Sequence, residues 1–447
     1  MKKRHLRMVA SAVALAILLV ACGNDTEEAT EPGSPASEEA PEGEDAAAAA
    51  EGDIDVPDSP DDGVLSDTIR IGWMGDATGP TASAQGLNLR GLEAWVEYTN
   101  EQGGVLGRQV ELIVRDDEFN AERAISNFRA LVDDDRVLAI IQLGGAHISE
   151  ALMPDVEQVG IPVIGPPQTI DAQIDHPYVF NNIAHYGDQA DIAVPRMAER
   201  AGVDVSDLRV MVLQLELPSG DEWNAYIEQT LDEQGGTYVG RVTMPTASPD
   251  FASIVTQVRS IVENEDVNAI AFQGAPANGL GILNEMEAQD FTDIPVVGIH
   301  GIAGSNIYTE SPPGVQHVMQ GIQSFTPCNV DNEGTQIIRE FVAGTSWEED
   351  CLHINFSHGW LDGMIFEQAA ERAAEQAGEV TRETLTEALR GQFDTLGLSC
   401  TIDWTETNHS PCGAPFVWDE DEEALIIGGG SFDVWQEYFD EEYGLAR

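Results

Sequence analysis

An α/β fold of two lobes, each a parallel β-sheet covered by helices, is predicted for this 447-residue chain. Two observations predict it. From residue 68 onward, short apolar runs alternate with stretches of helical spacing. That alternation then starts again near residue 208. Strands alternating with helices at this spacing form parallel sheets covered on both faces.

The elements follow in order. Ile69-Arg70-Ile71-Gly72-Trp73 reads as a first strand. Leu87 to Gln102 has helical spacing through Leu89, Leu92, Trp95 and Val96, and Gly103-Gly104 stops it. Val110 to Val114 is a second strand and Ala121 to Asp133 a second helix. Val137 to Ile141 is apolar throughout, as a buried parallel strand must be. A helix to Val159 and the strand Ile161 to Ile164 complete the first set. The second set has strands at Leu208–Leu215, Tyr238–Met244, Ala269–Phe272 and Ile294–Ile299. Its helices are Trp223–Glu233, Phe251–Asn264 and Leu280–Ala288. Ser357–Ala377 and Thr381–Leu389 are two later helices. Each set is about 120 residues, an ordinary domain size. Open α/β sheets bind ligands beyond the carboxyl ends of their strands. Two such lobes face to face make a cleft that closes about a hinge.

The amino terminus reads as an export signal over residues 1–22. Lys2, Lys3, Arg4 and Arg7 precede an apolar run from Met8 to Ala21. That run is too short for a membrane-spanning helix, which needs about 20 residues. Leu19-Val20-Ala21-Cys22 resembles the lipobox of bacterial lipoproteins, which implies a lipid on Cys22 and anchoring at the outer face of the cell membrane. Residues 23–66 contain no Lys or Arg and 15 acidic residues, so a disordered acidic tether is expected.

The chain has 21 Lys and Arg against 79 Asp and Glu. Four basic residues lie in the signal, so 17 remain beyond it, none of them lysine. Such a charge repels nucleic acid and anionic lipid heads. It is tolerable where salt screens it, with a Debye length of about 3 Å at 1 M. A saline source is therefore expected. Unfolding measured against salt reads this, and full stability in dilute buffer would remove the idea.

With Cys22 set aside for lipid, Cys328, Cys351, Cys400 and Cys412 remain. An even number in an exported chain points to disulfides. Three pairings are open, and the pairs nearest in sequence, Cys328–Cys351 and Cys400–Cys412, are favoured.

Several motifs in order carry a resemblance. They are Ile69-x-Ile-Gly with Thr78-Gly79-Pro80, Asn100-Glu-x-Gly103-Gly104-Val105-x-Gly107-Arg108, and Asp116-Asp117. Gly160-Ile161-Pro162-Val163-Ile164 and Trp360-Leu361-Asp362-Gly363 follow. From residue 68 to about 420 the chain resembles the Leu/Ile/Val-binding type of periplasmic solute-binding protein. The resemblance implies the type I fold, with Rossmann-like lobes at 67–187 plus about 315–400, and at 188–314 plus about 401–447. It implies a lipoprotein receptor, acting as a monomer, that hands a small molecule to an ABC permease. A sensor signalling to a membrane partner through the same cleft is the alternative.

Binding positions carry over one at a time. In amino-acid-binding members a serine after the third strand holds the ligand carboxylate; Ala146, beside His147, stands there. A threonine after the fourth strand also meets the carboxylate, and Thr169, preceded by Gln168, matches it. A tyrosine early in the second lobe lines the pocket, where this chain has Leu217-Pro218-Ser219-Gly220. A second tyrosine is replaced by Ala275. A glutamate that binds the ligand ammonium is replaced by His300. Gln85 completes the expected set. A neutral histidine offers a hydrogen bond but no negative charge. The expected ligand is thus an amide, a urea-like compound or a small carboxylic acid rather than a standard α-amino acid, although an amino acid stays in the range.

Other chemistries find little support. His147, His176, His185 and His300 match no closed zinc spacing, so no metal is expected. There is no G-x-G-x-x-G, no phosphate-loop lysine and no G-x-S-x-G elbow, so no nucleotide cofactor and no enzyme are expected.

Overall fold

The computed structural model describes residues 56–246, 249–302, 304–419 and 424–427. The signal segment, Cys22 and the tether as far as residue 55 lie outside the described residues. In the first lobe the apolar runs pair in parallel: β1 (Thr68–Gly75), β2 (Gln109–Asp116), β3 (Ala139–Ile141), β4 (Val163–Ile164) and β5 (Val179–Phe180). Their order is β2-β1-β3-β4-β5, so the chain reverses direction across β1 and β3. A crevice opens at the strand ends there. The helices between them are α1 (Ala82–Glu101), α2 (Ala121–Arg129) and α3 (Ala146–Val159). The second predicted helix runs on from α2 as a π turn, Ala130–Asp134.

After α4 (Tyr186–Ala201), the second lobe is built from β6 (Arg209–Leu215), α5 (Pro218–Gln234), β7 (Thr237–Met244), α6 (Phe251–Asn264), β8 (Ala269–Phe272), α7 (Pro276–Ala288), β9 (Val296–Gly298), α8 (Ser305–Glu310) and β10 (Met319–Gln323). Next come α9 (Glu333–Val342), α10 (Ile354–Ala377) and α11 (Arg382–Ala388). The short antiparallel pair β11 (Gln392–Phe393) and β12 (Ile402–Asp403), then β13 (Ala414–Asp419) and β14 (Ala424–Ile427), end the described chain. The second sheet has the order β14-β13-β10-β9-β8-β6-β7; its core is parallel, β13 pairs antiparallel with β10, and β14 pairs antiparallel with β13.

Three expected boundaries move. Strand β10 pairs with β9, so the second lobe keeps the chain through residue 323, past the expected crossing at about 315. Ile402 and Trp404 are buried with the first sheet, beside Phe180 and Phe393, so the last crossing falls after Trp404. Residues 56–66, expected to belong to the tether, include Val56 and Val64, which are buried in the first lobe. Arg108 fixes that segment: Nε donates to the Leu65 carbonyl at 2.7 Å and Nη2 to the Val56 carbonyl at 2.5 Å. Two apolar side chains and one buried arginine thus overrule the acidic composition around them.

The first lobe joins α1 and α10 face to face. A Cβ on Gly91 would lie 1.9 Å from the Phe356 carbonyl oxygen, and one on Gly359 equally close to that of Asn88. Glycine at both places lets the two backbones touch. Within this contact Asp362 is fully buried. Its carboxylate accepts from Asn88 Nδ2 at 3.0 Å and from Asn182 Nδ2 at 2.7 Å, and His358 Nε2 lies 3.4 Å away. Trp73 Nε1 extends the chain to Asn88 Oδ1.

Three crossings join the lobes, after β5, after β10 and after β12. Ser324 sits at their meeting point. Its hydroxyl accepts from the Ala184 N–H at 3.1 Å and donates to the Cys412 carbonyl at 2.8 Å. The third crossing is stapled by a disulfide between Cys400 and Cys412. The other expected bridge is corrected: Cys328 and Cys351 are unbonded, buried thiols. Sequence proximity did bring them together, because the Cys328 N–H donates to the Cys351 carbonyl at 3.0 Å. A hydrogen bond between their side chains, with burial, pushes the Cys328 pKa up.

Candidate functional site

The cleft lies where the strand ends of both sheets face each other, and it encloses about 890 Å³, its open mouth included. The first lobe contributes Gln85, Phe119, Gln142, Ala146, His147 and Gln168. The second contributes Leu217, Ser219, Gln273, Ala275, Ile299 and His300, and His358 comes from α10. Among the described residues, no Asp, Glu, Lys or Arg lines it, in a chain that carries a net charge of −58. The helices α1, α3, α5 and α7 all begin at this wall; the N-cap residues of α1, α3 and α5 place no side-chain hydrogen bond on their helix, whereas at α7 Asn278 Oδ1 accepts the Ala275 N–H at 2.9 Å. Their first N–H groups are donors without helical partners.

Of the eight expected binding positions, Gln85, Ala146, His147, Gln168, Ser219, Ala275 and His300 stand in the wall. Thr169 does not: it is buried, and its hydroxyl donates to the Ile183 carbonyl at 2.5 Å. It therefore holds the first crossing, beyond β5, and not the cleft. Sequence reasoning missed Phe119, Gln142, Tyr186, Gln273 and His358. Gln142 and Gln273 directly follow the apolar strands β3 and β8, a signal that the strand-end rule could have used.

The turn at Thr78-Gly79-Pro80 is braced from below. The Thr78 hydroxyl donates to Asp116 Oδ2 at 2.6 Å, and the Ala77 N–H to Asp116 Oδ1 at 3.0 Å. Asp76 accepts from Gly79 N–H and from both the N–H and hydroxyl of Thr81. Asp117 accepts the Phe119 N–H at 2.7 Å, which turns Phe119 against His147 in an edge contact at 4.6 Å. So the paired aspartates shape the cleft without lining it.

His300 is set by Gln189. The Gln189 Oε1 accepts the His300 N–H at 2.9 Å, so its Nε2 faces His300 Nδ1 at 3.2 Å. The other ring nitrogen is thus left to carry the proton, and a hydrogen bond to the Pro167 carbonyl spans the cleft. Burial, with His358 nearby, pushes the His300 pKa down to about 4. Burial also lowers that of His147. Both are neutral hydrogen-bonding groups near pH 7.

A clasp crosses the mouth. Asp171 of the first lobe accepts from His185 Nε2 at 2.9 Å and from the Tyr226 hydroxyl at 2.7 Å. Its own N–H donates to Glu222 Oε1 of α5 at 3.0 Å. Asp171, His185 and Glu222 have ligand atoms close enough to hold a metal ion. Yet His185 Nδ1 accepts the Gly187 N–H at 3.1 Å, so the proton of the neutral ring sits on Nε2, which donates. The three residues fit a hydrogen-bonded bridge between lobes better than a cation site.

Comparison with known proteins agrees with this geometry. Residues 68–417 match the family described as periplasmic binding protein. A leucine-, isoleucine-, valine-, threonine- and alanine-binding protein of Pseudomonas aeruginosa is 24% identical over 249 residues, 55% of this chain and 63% of that one. A Leu/Ile/Val-binding protein homolog of Brucella suis is 26% identical over 198 residues, 43% of this chain and 49% of that one. The matched part thus spans between about half and just under two thirds of these relatives. Among solved structures, a fatty acid ABC transporter substrate-binding protein from Thermomonospora curvata superposes with a TM-score of 0.74 at 20% identity, covering 83% of this chain and 94% of its own. A branched-chain amino acid ABC transporter protein from Thermus thermophilus with bound valine has a TM-score of 0.72 at 19% identity, covering 82% and 97%. A solute-binding protein from R. palustris in complex with 4-hydroxybenzoate has 0.68 at 16%, covering 82% and 96%. At these identities the superpositions speak for the fold. The chain belongs to the periplasmic binding protein family.

Proposed function

We propose that this chain is the extracytoplasmic receptor of an ABC importer, anchored through a lipid on Cys22, and that its two lobes close on a small solute without a cationic group. The observation that carries the reading is the uncharged wall between two facing sheets. An ammonium group buried there would meet no carboxylate, a loss on the order of 2–5 kcal/mol for a desolvated charge. The valine, fatty acid and 4-hydroxybenzoate proteins indicate that one such frame serves unlike solutes. The chemistry is capture and release, with no bond made or broken. Solute bridging both lobes favours the closed form, which then docks on the permease.

A thermal-shift screen in concentrated salt tests it, with amides, ureas, small carboxylic acids and branched-chain amino acids as probes. A true ligand stabilises by about 2.7 kcal/mol at a hundredfold excess over Kd. A screen in which no compound of any class moves the melting point would end the receptor reading.

Two further results are expected. Glu222→Ala removes an acceptor that ties the lobes together. It should weaken ligand about fivefold, or ~1 kcal/mol for one hydrogen bond, while leaving the circular dichroism spectrum unchanged. The second concerns acidity. His300 is held at about 4 by burial between the walls, and on this reading parting of the lobes re-exposes it to water and returns it toward the ordinary 6.5 of a free histidine. The open form binds a proton that the closed form refuses, so protons favour opening. Affinity should be flat above pH 6.5 and fall by up to about tenfold per unit toward pH 4. A Kd that stays level over that range in titration calorimetry would contradict this.

A further inference from the structure

Resting on the receptor reading above, one residue narrows the class of solute. Gln142 directly follows β3 and has φ +62°, a left-handed conformation uncommon for a residue with a side chain. Such strain persists only where surrounding structure enforces it, and it clusters at ligand sites. The side chain lines the cleft and is only 1% exposed. Its Oε1 is buried and has no hydrogen-bond partner among the described residues. The other glutamines of the wall are engaged. Gln85 accepts the Asp76 N–H at 2.9 Å and donates to Thr81 Oγ1 at 2.8 Å. Gln168 Nε2 donates to Ser149 Oγ at 3.1 Å. Gln273 Oε1 accepts the Leu215 N–H at 2.9 Å. Most buried polar atoms in a native fold have a partner, and one left without a partner at the wall of a cleft is a natural contact for a bound group.

We propose that the solute carries a neutral amide-type group, a carboxamide or urea, that pairs edge to edge with the Gln142 carboxamide. A carboxamide has an acceptor and a donor side by side. Its complement therefore has a donor and an acceptor side by side, which an amide or urea offers and a carboxylate does not. The uncharged wall points the same way, since it supplies neither a cation for a carboxylate nor an anion for an ammonium. Partner-free N–H groups at the start of α3 suit the remaining lone pair of an amide oxygen. Phe119, Leu217 and Ile299 offer apolar contact for the rest of the molecule.

The test uses the mature chain in concentrated salt, with matched probes. Isobutyramide and benzamide are each titrated beside isobutyrate and benzoate, with N-methylurea and valine added. The amides should bind at least about tenfold more tightly than their carboxylates. Gln142→Leu should remove that preference, lowering amide affinity about 10- to 100-fold. Gln142→Glu keeps the shape but lacks the donor, and it should also lose the preference; this variant serves if the leucine variant fails to fold. If valine or the carboxylates bind and the amides do not, this inference falls while the receptor reading stands. Amide binding that survives both substitutions overturns it as well. If no probe binds, both fall together.

Discussion

Asp362→Ala should destabilise the fold by about 3–5 kcal/mol, the cost of leaving buried amide donors unpaired together with the cavity that truncation opens. The carboxylate is fully buried and receives Asn88 from α1 and Asn182 from the first crossing. Removing it leaves two buried amides without an acceptor and opens a cavity where α1 meets α10. Gly165 shows how tightly the site is filled, since a Cβ there would lie 2.0 Å from Asp362 Oδ1. Asp362→Asn keeps the volume and one acceptor oxygen but turns an N–H₂ toward a donor. It should cost less, about 1–3 kcal/mol. Denaturant unfolding at constant salt measures both. An alanine variant within ~1 kcal/mol of the parent would show that the network adds nothing beyond packing.

Reducing the Cys400–Cys412 bridge, or replacing either cysteine with serine, should cost about 2–4 kcal/mol, the usual range for a closed loop of this length. The two residues are 12 apart and bracket β12 and the last crossing. The loop they close carries Asn408, whose Nδ2 donates to the Gln173 carbonyl at 2.7 Å and the Val179 carbonyl at 2.8 Å. Once the bridge opens, ordering that segment costs more entropy, and these contacts lose their anchor. Melting with and without reductant gives the comparison. A midpoint that reductant does not move would mean that the noncovalent contacts suffice.

Much of this architecture was legible because its signals are local. Phe251–Asn264 and Ala269–Phe272 were read to the residue, since helical spacing bounded by Asp250 and a four-residue apolar run leave little choice. Helix α4 was not read. Pro195 lies inside it and Gly187 near its start, both of which speak against a helix on local grounds. Its apolar face, with Ile192, Val194 and Met197, is buried and packs against β8 and β9, and tertiary packing overrides propensity there. Strand β10 was missed for a related reason, since Met319 to Gln323 alternates with polar and glycine residues that are buried only by its neighbours.

The site shows the same division. Ala146, Ser219 and Ala275 were carried over from the resemblance, and each follows a strand that periodicity reveals, which brings it to the cleft wall. His358 was not, because it lies 190 residues beyond Gln168, and only the return of α10 brings it to the cleft. There it stacks on Phe325 of the second crossing at 4.1 Å. Thr169 was misread because a loop hydroxyl within a matching motif can face either way. One backbone carbonyl, that of Ile183, decided it.

The meeting point at Ser324 has a mechanical consequence. Three separate flexible straps would allow the halves of the molecule to splay, twist and slide in several independent ways. A single hydroxyl that touches the first and third straps from the second welds them into one axle. Motion about such an axle has a single coordinate, so every swing of one half retraces the same arc. A captured solute would then be presented to its acceptor in one fixed orientation.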